Sequence, residues 1–170
     1  MTITLIGMPG AGKSCMGRAL SRRFGMKTLD GDRLIEKVTG RKLQDIINED
    51  GLEAFKELEE KTLLSITEDN IIITPGGSAV YYDSVMRHFK ENGMVVYLYV
   101  SPEVLLKRLG DFSRRGIVLK EGQTIRDLYL ERAPLLEKYA DITVNCDGES
   151  YTKYRFIAER KIRAFIRNHQ

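Results

Sequence analysis

The residues with the clearest chemical meaning lie near the start of the chain. Residues 7–14 read Gly-Met-Pro-Gly-Ala-Gly-Lys-Ser, and the pattern G-x-x-x-x-G-K-[ST] is that of a P-loop. Glycines in such a loop let backbone N–H groups point at phosphate oxygens. Lys13 is expected to reach the β- and γ-phosphates of a nucleotide, and the Ser14 hydroxyl to hold Mg²⁺. A chance glycine-rich turn is the alternative, and the apolar run 3–6 before the loop and the helical pattern 16–24 after it count against that alternative.

Two carboxylates lie at the end of the second predicted strand, 27–30. Asp30 and Asp32 are separated by one residue. Near a γ-phosphate, a carboxylate can accept the proton of an attacking hydroxyl or hold a water of the metal shell. Aspartate at a strand–helix junction is also a common helix cap. The P-loop in the same chain favours the catalytic interpretation.

A glycine turn follows a third apolar run, 71–74. Gly76 and Gly77 are adjacent there, with Ser78 after them. Adjacent glycines at the end of a parallel strand allow a ligand to approach the backbone closely. A tight turn without a ligand is the alternative.

Three arginines are candidates for gripping phosphate or carboxylate groups, because a guanidinium offers parallel N–H donors. Arg132 lies beside Pro134, which is expected to kink a helix or restart it. The other two are Arg108 and Arg115.

Lys56 and Cys15 have less specific surroundings. Lys56 lies off the apolar stripe of its helix and can pair with Glu53 or Glu60, so the residues alone favour a solvated position. Cys15 directly follows the P-loop at a helix N-terminus, where a thiol pKa can fall. A small residue packed beside a nucleotide is the simpler interpretation.

Apolar runs that alternate with longer helical patterns predict an α/β fold: a three-layer α/β/α domain with a five-stranded parallel sheet. Ligands of such sheets bind at the carboxyl ends of the strands. The helical stretch 32–68 is too long for one crossover and predicts a small helical insertion. The polar segment 111–123 predicts a lid or a connector. The predicted strands are 2–7, 27–30, 71–74, 94–100 and 142–145. The main predicted helices are 52–68, 80–91, 102–109, 124–139 and 151–168.

Composition narrows the class of protein. A chain of 170 residues predicts one domain, 1–170. A net charge of +3 gives no reason to expect nucleic acid as a partner. We find no apolar run of membrane-spanning length, no signal-peptide pattern and too few cysteines for a disulfide framework. We therefore expect a cytoplasmic monomer that binds no membrane.

Taken together, these residues resemble the shikimate kinase family over nearly the whole chain. The resemblance depends on the order and spacing of several short motifs in a short chain. They are 7–14, Asp30-x-Asp32, Ile35-Glu36-x-x-x-Gly40, Gly51-x-x-x-Phe55 with Glu59, Gly76-Gly77, Arg115 and Arg132-Ala133-Pro134-Leu135.

The resemblance implies a P-loop NTPase fold and a defined reaction. With Mg²⁺, the family transfers the γ-phosphoryl group of ATP to the 3-hydroxyl of shikimate, on the pathway to chorismate and aromatic amino acids. Asp32 would bind substrate hydroxyls and act as base or orienter, and Asp30 would hold a water of the Mg²⁺ shell. Gly76 and Gly77 would offer backbone contacts, and Arg132 would clamp the substrate carboxylate.

The resemblance also assigns the nucleotide side. Arg115 would swing in from the lid onto the transferring phosphate, whereas Arg108 and the segment around Asp147 would flank the adenine. The insertion 32–68 would form the substrate-binding subdomain. The nucleotide-binding residues would be Gly10, Ala11, Gly12, Lys13, Ser14, Cys15, Arg108 and Arg115.

The chain departs from the family pattern at four places. Lys56 follows Phe55 where the family usually has arginine, and Ser78 takes the place of the third glycine of the turn. The lid reads Arg-Gly-Ile-Val over 115–118 instead of Arg-Pro-Leu-Leu, and Cys15 replaces threonine. The first two changes touch the substrate pocket, where Lys56 and Arg132 still offer two cations to a carboxylate.

Shikimate is therefore the expected acceptor, and two alternatives remain. One is a related kinase whose altered pocket takes another hydroxy acid, a polyol or a nucleoside monophosphate. The other is a nucleotide-sensing module without catalysis. The joint presence of Lys13, Ser14, Asp30, Asp32 and Arg115 argues against the sensor.

Overall fold

Five parallel strands form one sheet within residues 1–109, 120–148 and 150–169, the residues that the computed structural model describes. The order across the sheet is β2-β3-β1-β4-β5. The predicted five-stranded parallel sheet is confirmed, and only β1 and β4 differ from their predicted bounds. The strands are β1 (Thr2–Ile6), β2 (Lys27–Asp30), β3 (Ile71–Thr74), β4 (Gly93–Tyr99) and β5 (Ile142–Asn145).

The central strands are buried because helices cover both faces of the sheet. Every residue of β1 and β3 is buried, and Thr4 of β1 lies opposite Ile73 of β3 and Val95 of β4. Strand β5, at one edge, alternates buried and exposed residues. Continuous apolar runs in the centre and alternation at the edge are typical of a parallel sheet between two helical layers.

Outside the segment between β2 and β3, the helices form two layers, one on each face of the sheet. One layer has α1 and α8 packed on each other, with α1 against β3 and α8 against β5, whereas α5 and α7 pack against β4. The chain crosses the sheet in one direction from β1 to β2 and in the opposite direction from β2 through β3 and β4 to β5, so right-handed crossovers place α1 on the opposite face from α5 and α7. Their bounds are α1 (Lys13–Phe24), α5 (Asp83–Asn92), α6 (Pro102–Leu109), α7 (Ile125–Tyr139) and α8 (Tyr151–Asn168).

A helical insertion connects β2 to β3, as predicted. It ends at Leu64, so the prediction of helix up to residue 68 is wrong. Gly40 and Gly51 divide it into three helices. The three are α2 (Gly31–Thr39), α3 (Leu43–Asp50) and α4 (Leu52–Leu64). A small core of its own holds the insertion together, made of Ile35, Ile46 and Phe55.

Two further predictions about helices need correction. The helix expected from residue 80 is a short 3₁₀ turn, Ala79–Tyr81, followed by α5 from Asp83. Helix α7 continues through Pro134, so the predicted restart does not occur. Proline removes the hydrogen bond to the carbonyl of Leu130. Leu130 is 63% exposed, and water can satisfy the freed carbonyl there.

The parallel strands bring distant parts of the chain to one edge of the sheet. The P-loop follows β1, Asp30 ends β2 and the glycine turn follows β3. Most of the predicted lid, 111–119 with Arg115, lies outside the described residues. Among the described helices, none is both long and apolar enough to span a membrane.

Candidate active site

A cleft of about 1070 Å³ opens where β1, β2 and β3 end. The P-loop and the glycine turn form its floor, the insertion forms one wall, and the start of α7 forms the other. The predicted site residues that line the cleft are Gly10, Lys13, Ser14, Asp30, Asp32, Lys56, Gly76, Gly77, Ser78 and Arg132.

The P-loop leads directly into the first turn of α1. Gly12 is the N-cap of α1 and has a φ of 93°, a conformation that favours glycine. No side chain of the described residues caps this helix end. The first N–H groups of α1 are therefore available to an anion, and the helix dipole favours negative charge there.

Lys13 folds back onto the loop that precedes it. Its Nζ donates to the carbonyl oxygens of Gly7 at 2.9 Å and Met8 at 3.2 Å. Although the residue as a whole is only half-buried, withdrawal of the ammonium group from water lowers its pKa to about 8. The positive charge of Arg132 lowers this pKa further, whereas Asp32 raises it. A phosphate bound beside Lys13 would favour the protonated form.

Asp30 and Asp32 differ in what they contact. An oxygen of Asp30 accepts a hydrogen bond of 3.1 Å from the backbone N–H of Arg33, so Asp30 caps α2. Burial raises the pKa of Asp32, and the charge of Asp30 raises it further against the opposing effect of Lys13. A carboxyl group with a raised pKa is better matched to accepting a proton near neutral pH.

The glycine turn passes very close to charged side chains. A Cβ on Gly76 would lie 2.7 Å from Oδ1 of Asp32 and 3.0 Å from Oε1 of Glu59. A Cβ on Gly77 would lie 2.5 Å from Nη1 of Arg132. The distances of 2.7 and 2.5 Å are shorter than real Cβ contacts, so a side chain at Gly76 or Gly77 would displace the Asp32 carboxylate or the Arg132 guanidinium.

Glu59, a buried residue of α4, was not among the predicted site residues. It is 1% exposed, and burial raises its pKa despite the hydrogen bonds to its carboxylate. The hydroxyl of Ser78 lies 2.8 Å from both carboxylate oxygens, and that of Tyr82 donates at 2.7 Å. The side chain that replaces a glycine in the turn is therefore bound to the wall of the cleft.

A sequence signal for Glu59 exists. The residue lies four positions after Phe55 and three before Thr62, both of which face the buried side of α4. A glutamate in that register cannot be solvated, and its burial requires hydrogen-bond donors from elsewhere in the chain.

The two cations expected to hold a carboxylate are placed differently. Nζ of Lys56 lies 2.8 Å from a carboxylate oxygen of Glu53, and the side chain is 45% exposed. The helix-surface pairing expected from the residues is therefore present, although Lys56 also lines the cleft. Arg132 is half-buried and lies against Tyr81.

Two of the residues predicted to bind the nucleotide, Arg108 and Cys15, do not line the cleft. Arg108 donates to the carbonyl of Cys146, and its guanidinium lies 6.0 Å from the ring centre of Tyr154. Cys15 is exposed, and its carbonyl accepts a hydrogen bond of 3.1 Å from the Tyr151 hydroxyl. Arg108 thus lies beside the segment before Asp147.

The oxygen donors of the cleft fit a hard cation that depends on its substrate for ligands. Ser14 offers a hydroxyl, and Asp30 and Asp32 offer carboxylates. Among the described residues, no group of three or more His, Cys, Asp or Glu side chains could hold a metal ion alone. Mg²⁺ in kinase sites takes one or two protein ligands and completes its shell with water and phosphate, and this donor set matches that requirement.

Comparison with known proteins gives a consistent result. A family model described as shikimate kinase matches residues 9–164. A shikimate kinase of Bacillus anthracis is 41% identical over 120 residues, covering 71% of this chain and 73% of the relative. The shikimate kinase of Thermodesulfovibrio yellowstonii is 31% identical over 168 residues, covering 97% of this chain and 95% of the relative.

Comparison with solved structures points to the same family. The shikimate kinase of Acinetobacter baumannii in complex with shikimate superposes with a TM-score of 0.83 at 29% identity, covering 98% of this chain and 93% of that chain. The YorR protein of Bacillus subtilis, at 22% identity and a TM-score of 0.58, shares the fold alone.

Proposed function

The chain belongs to the shikimate kinase family, and we propose that it uses ATP and Mg²⁺ to phosphorylate the 3-hydroxyl of shikimate. The products are shikimate 3-phosphate and ADP, in the biosynthesis of aromatic amino acids. The observation that carries this proposal is one cleft in which Lys13, Asp32 and Arg132 come together. These residues supply a phosphate site, a proton acceptor and a carboxylate site.

Phosphoryl transfer requires positioning and charge stabilisation more than covalent chemistry. The N–H groups at the start of α1 bind the phosphates, and Lys13 exchanges its two carbonyl partners for phosphate oxygens. A bound Mg²⁺, held by Ser14 and through water by Asp30, would neutralise charge on the phosphates. Arg115, on the lid outside the described residues, would add a further positive charge.

Asp32 aligns the acceptor hydroxyl and takes its proton. Its raised pKa and its place beside Lys13 suit this role, because the base must lie close to the transferring phosphate. Asp30, as a cap of α2, fixes the helix turn that carries Asp32.

The acceptor is held from the opposite side. Arg132 grips the carboxylate of shikimate, since a guanidinium can donate two parallel hydrogen bonds. The backbone of Gly76 and Gly77 contacts the acceptor ring, and Ser78 lies next to them in the cleft. Lys56 contributes a second positive charge at the entrance.

The nucleotide base has a proposed site of its own. Arg108 covers one side of the adenine beside the segment that ends at Asp147, and Cys15 follows the phosphate loop.

One chain, 1–170, forms a single domain with the helical insertion as its acceptor-binding part. No second chain is needed for this chemistry, and we propose a monomer.

A coupled assay of ADP release with MgATP, with and without shikimate, tests the proposal. We expect shikimate-dependent ADP release, and a loss of more than about 100-fold in Asp32→Asn with ATP binding retained, because general-base contributions reach about 10²–10⁴. Asp45→Asn is the matched control, since Asp45 is an exposed residue in the first turn of α3, outside the cleft.

Two results would contradict the assignment. Loss of ATP affinity in Asp32→Asn would move Asp32 to the nucleotide side. Bound ATP without stimulation by shikimate would require another hydroxy acid or polyol as the acceptor.

A further inference from the structure

Arg132, the cation proposed to bind the carboxylate, contacts Tyr81, a residue outside the family motifs. Arg132 comes from α7, and Tyr81 ends the 3₁₀ turn that follows the glycine turn. The Arg132 guanidinium carbon lies 5.4 Å from the ring centre of Tyr81. In addition, Nε of Arg132 donates to the Tyr81 hydroxyl at 3.3 Å.

These contacts leave the ligand-binding end of the guanidinium available. Tyr81 engages Nε and one face of the group, so the terminal nitrogens Nη1 and Nη2 keep their N–H groups for a carboxylate. Nη1 lies beside the backbone of Gly77, where a Cβ would come within 2.5 Å. Tyr81 and Gly77 thus hold Arg132 on two sides.

Lys56 does not share this task equally. Its Nζ is paired with Glu53 at 2.8 Å at the solvent side of α4. To grip a ligand, Lys56 must leave this partner and order a long flexible side chain, which reduces the net gain of the new contact. Carboxylate recognition in this chain therefore depends mainly on Arg132.

We propose that Tyr81 is a positioning residue that preorganises Arg132 for the carboxylate of the acceptor. The inference rests on the proposed function, because it requires an acceptor that carries a carboxylate. A free arginine side chain loses rotamer freedom when it binds, and a side chain already held in the bound orientation loses less. Tyr81 thereby lowers the KM for the acceptor without taking part in phosphoryl transfer.

The central test is the kinetics of Tyr81→Leu and Tyr81→Phe. Cation–π contacts at exposed sites correspond to factors of about two to five, so Tyr81→Leu should raise the KM for shikimate by about that factor. The values of kcat and of the KM for ATP should change by less than about twofold. Tyr81→Phe keeps the ring and should retain most of the affinity. Phe156→Leu is the matched control, since Phe156 is an aromatic residue on α8 that is 63% exposed and lies outside the cleft.

A second measurement ties the effect to the carboxylate. Shikimate with its carboxylate reduced to a hydroxymethyl group should bind weakly. Its affinity should be the same for the wild type and for Tyr81→Leu. In a double-mutant cycle with Arg132→Met, the effects of the two substitutions should be strongly non-additive. If leucine destabilises the turn, Tyr81→Gln provides the same test without a ring.

The outcomes separate this inference from the proposed function. Unchanged KM for shikimate in Tyr81→Leu, or an equal loss with the uncharged analogue, would overturn the role of Tyr81 alone. Absence of shikimate phosphorylation in the wild type would instead overturn the proposed function, and the inference with it.

Discussion

The charge of Asp32 is disfavoured in the folded protein. Burial and the neighbouring charge of Asp30 raise its pKa, while Lys13 compensates only in part. The folded protein therefore holds a proton on Asp32 at pH values where the unfolded chain has released it. This contribution to stability is complete below the unfolded pKa, near 3.9, and is lost as pH rises through the folded pKa.

We accordingly predict that Asp32→Asn is more stable than the wild type at pH 7.5, because asparagine removes a charge that the fold does not fully compensate. The advantage should shrink as pH falls toward 4. Urea unfolding of both proteins at the two pH values measures this difference. A variant less stable than the wild type at pH 7.5 would mean that the contact with Lys13 outweighs burial.

At the scale of residues, the sequence predicted what is local and missed what is paired across the chain. The P-loop is one continuous motif, so its residues could be assigned directly. Glu59 and Ser78 meet from α4 and the glycine turn, and Tyr81 meets Arg132 across 51 positions. The residue types of one segment do not indicate which distant segment it contacts, so these contacts could not be predicted without the fold.

At the scale of elements, the junction of β2 and α2 combines two tasks in one side chain. Asp30 ends the strand and caps the helix through the N–H of Arg33. The structural alternative considered from the sequence is thus present, and it does not exclude the proposed role toward Mg²⁺. A carboxylate has two oxygens, and a cap uses one hydrogen bond.

Substitutions at Asp30 can separate these tasks. Asp30→Ala should lower the free energy of unfolding by about 1 kcal/mol, the usual cost of a lost N-cap. Asp30→Asn should retain most of that stability, because asparagine is an equally good cap. Both variants should lose Mg²⁺-dependent activity. Urea unfolding measures the stability, and kcat as a function of Mg²⁺ concentration measures the role toward the metal. Full activity of Asp30→Asn would mean that Asp30 acts only as a helix cap.

The predicted strands are confirmed, three of them with exact bounds, whereas the predicted helices were wrong at the end of the insertion and before α5. Pro134 was expected to kink α7 or restart it, and the restart does not occur, because the capping box at Thr124 and Asp127 and the packing on β4 hold one continuous helix. Packing on the sheet outweighs the single backbone hydrogen bond that proline removes. Local sequence contains the proline but not this packing.

At the scale of the whole molecule, the cleft lies between two parts whose hydrophobic cores differ in size. The sheet and its helices share one large core, which Leu63 at the end of α4 also joins, whereas the rest of the insertion has a small core of Ile35, Ile46 and Phe55. The part with the large core carries the proposed phosphate site, and the insertion carries one wall of the proposed acceptor site. Local stability follows the number of buried apolar contacts, so the insertion is the part that opens more easily.

Hydrogen exchange should resolve this difference. Amides of α3 and α4 should exchange faster than those of β1 and β4 in the free protein. Shikimate at about 100 times its Kd should slow exchange in α3 and α4 by up to about 100-fold, since bound ligand opposes opening by about 2.7 kcal/mol. Equal protection of all four elements in the free protein would show that the insertion is as stable as the sheet.

The order of the strands has a consequence for synthesis of the chain. Strand β1 is made first, yet its neighbours in the sheet are β3 and β4, which lie at residues 71–74 and 93–99. At about 5–20 residues per second, roughly 5 to 20 seconds separate the appearance of β1 from that of its second partner. Throughout that interval an apolar strand with open edges leaves the ribosome without the segments that will bury it. Of the five strands, the one that leads into the phosphate loop therefore waits longest for its neighbours during synthesis.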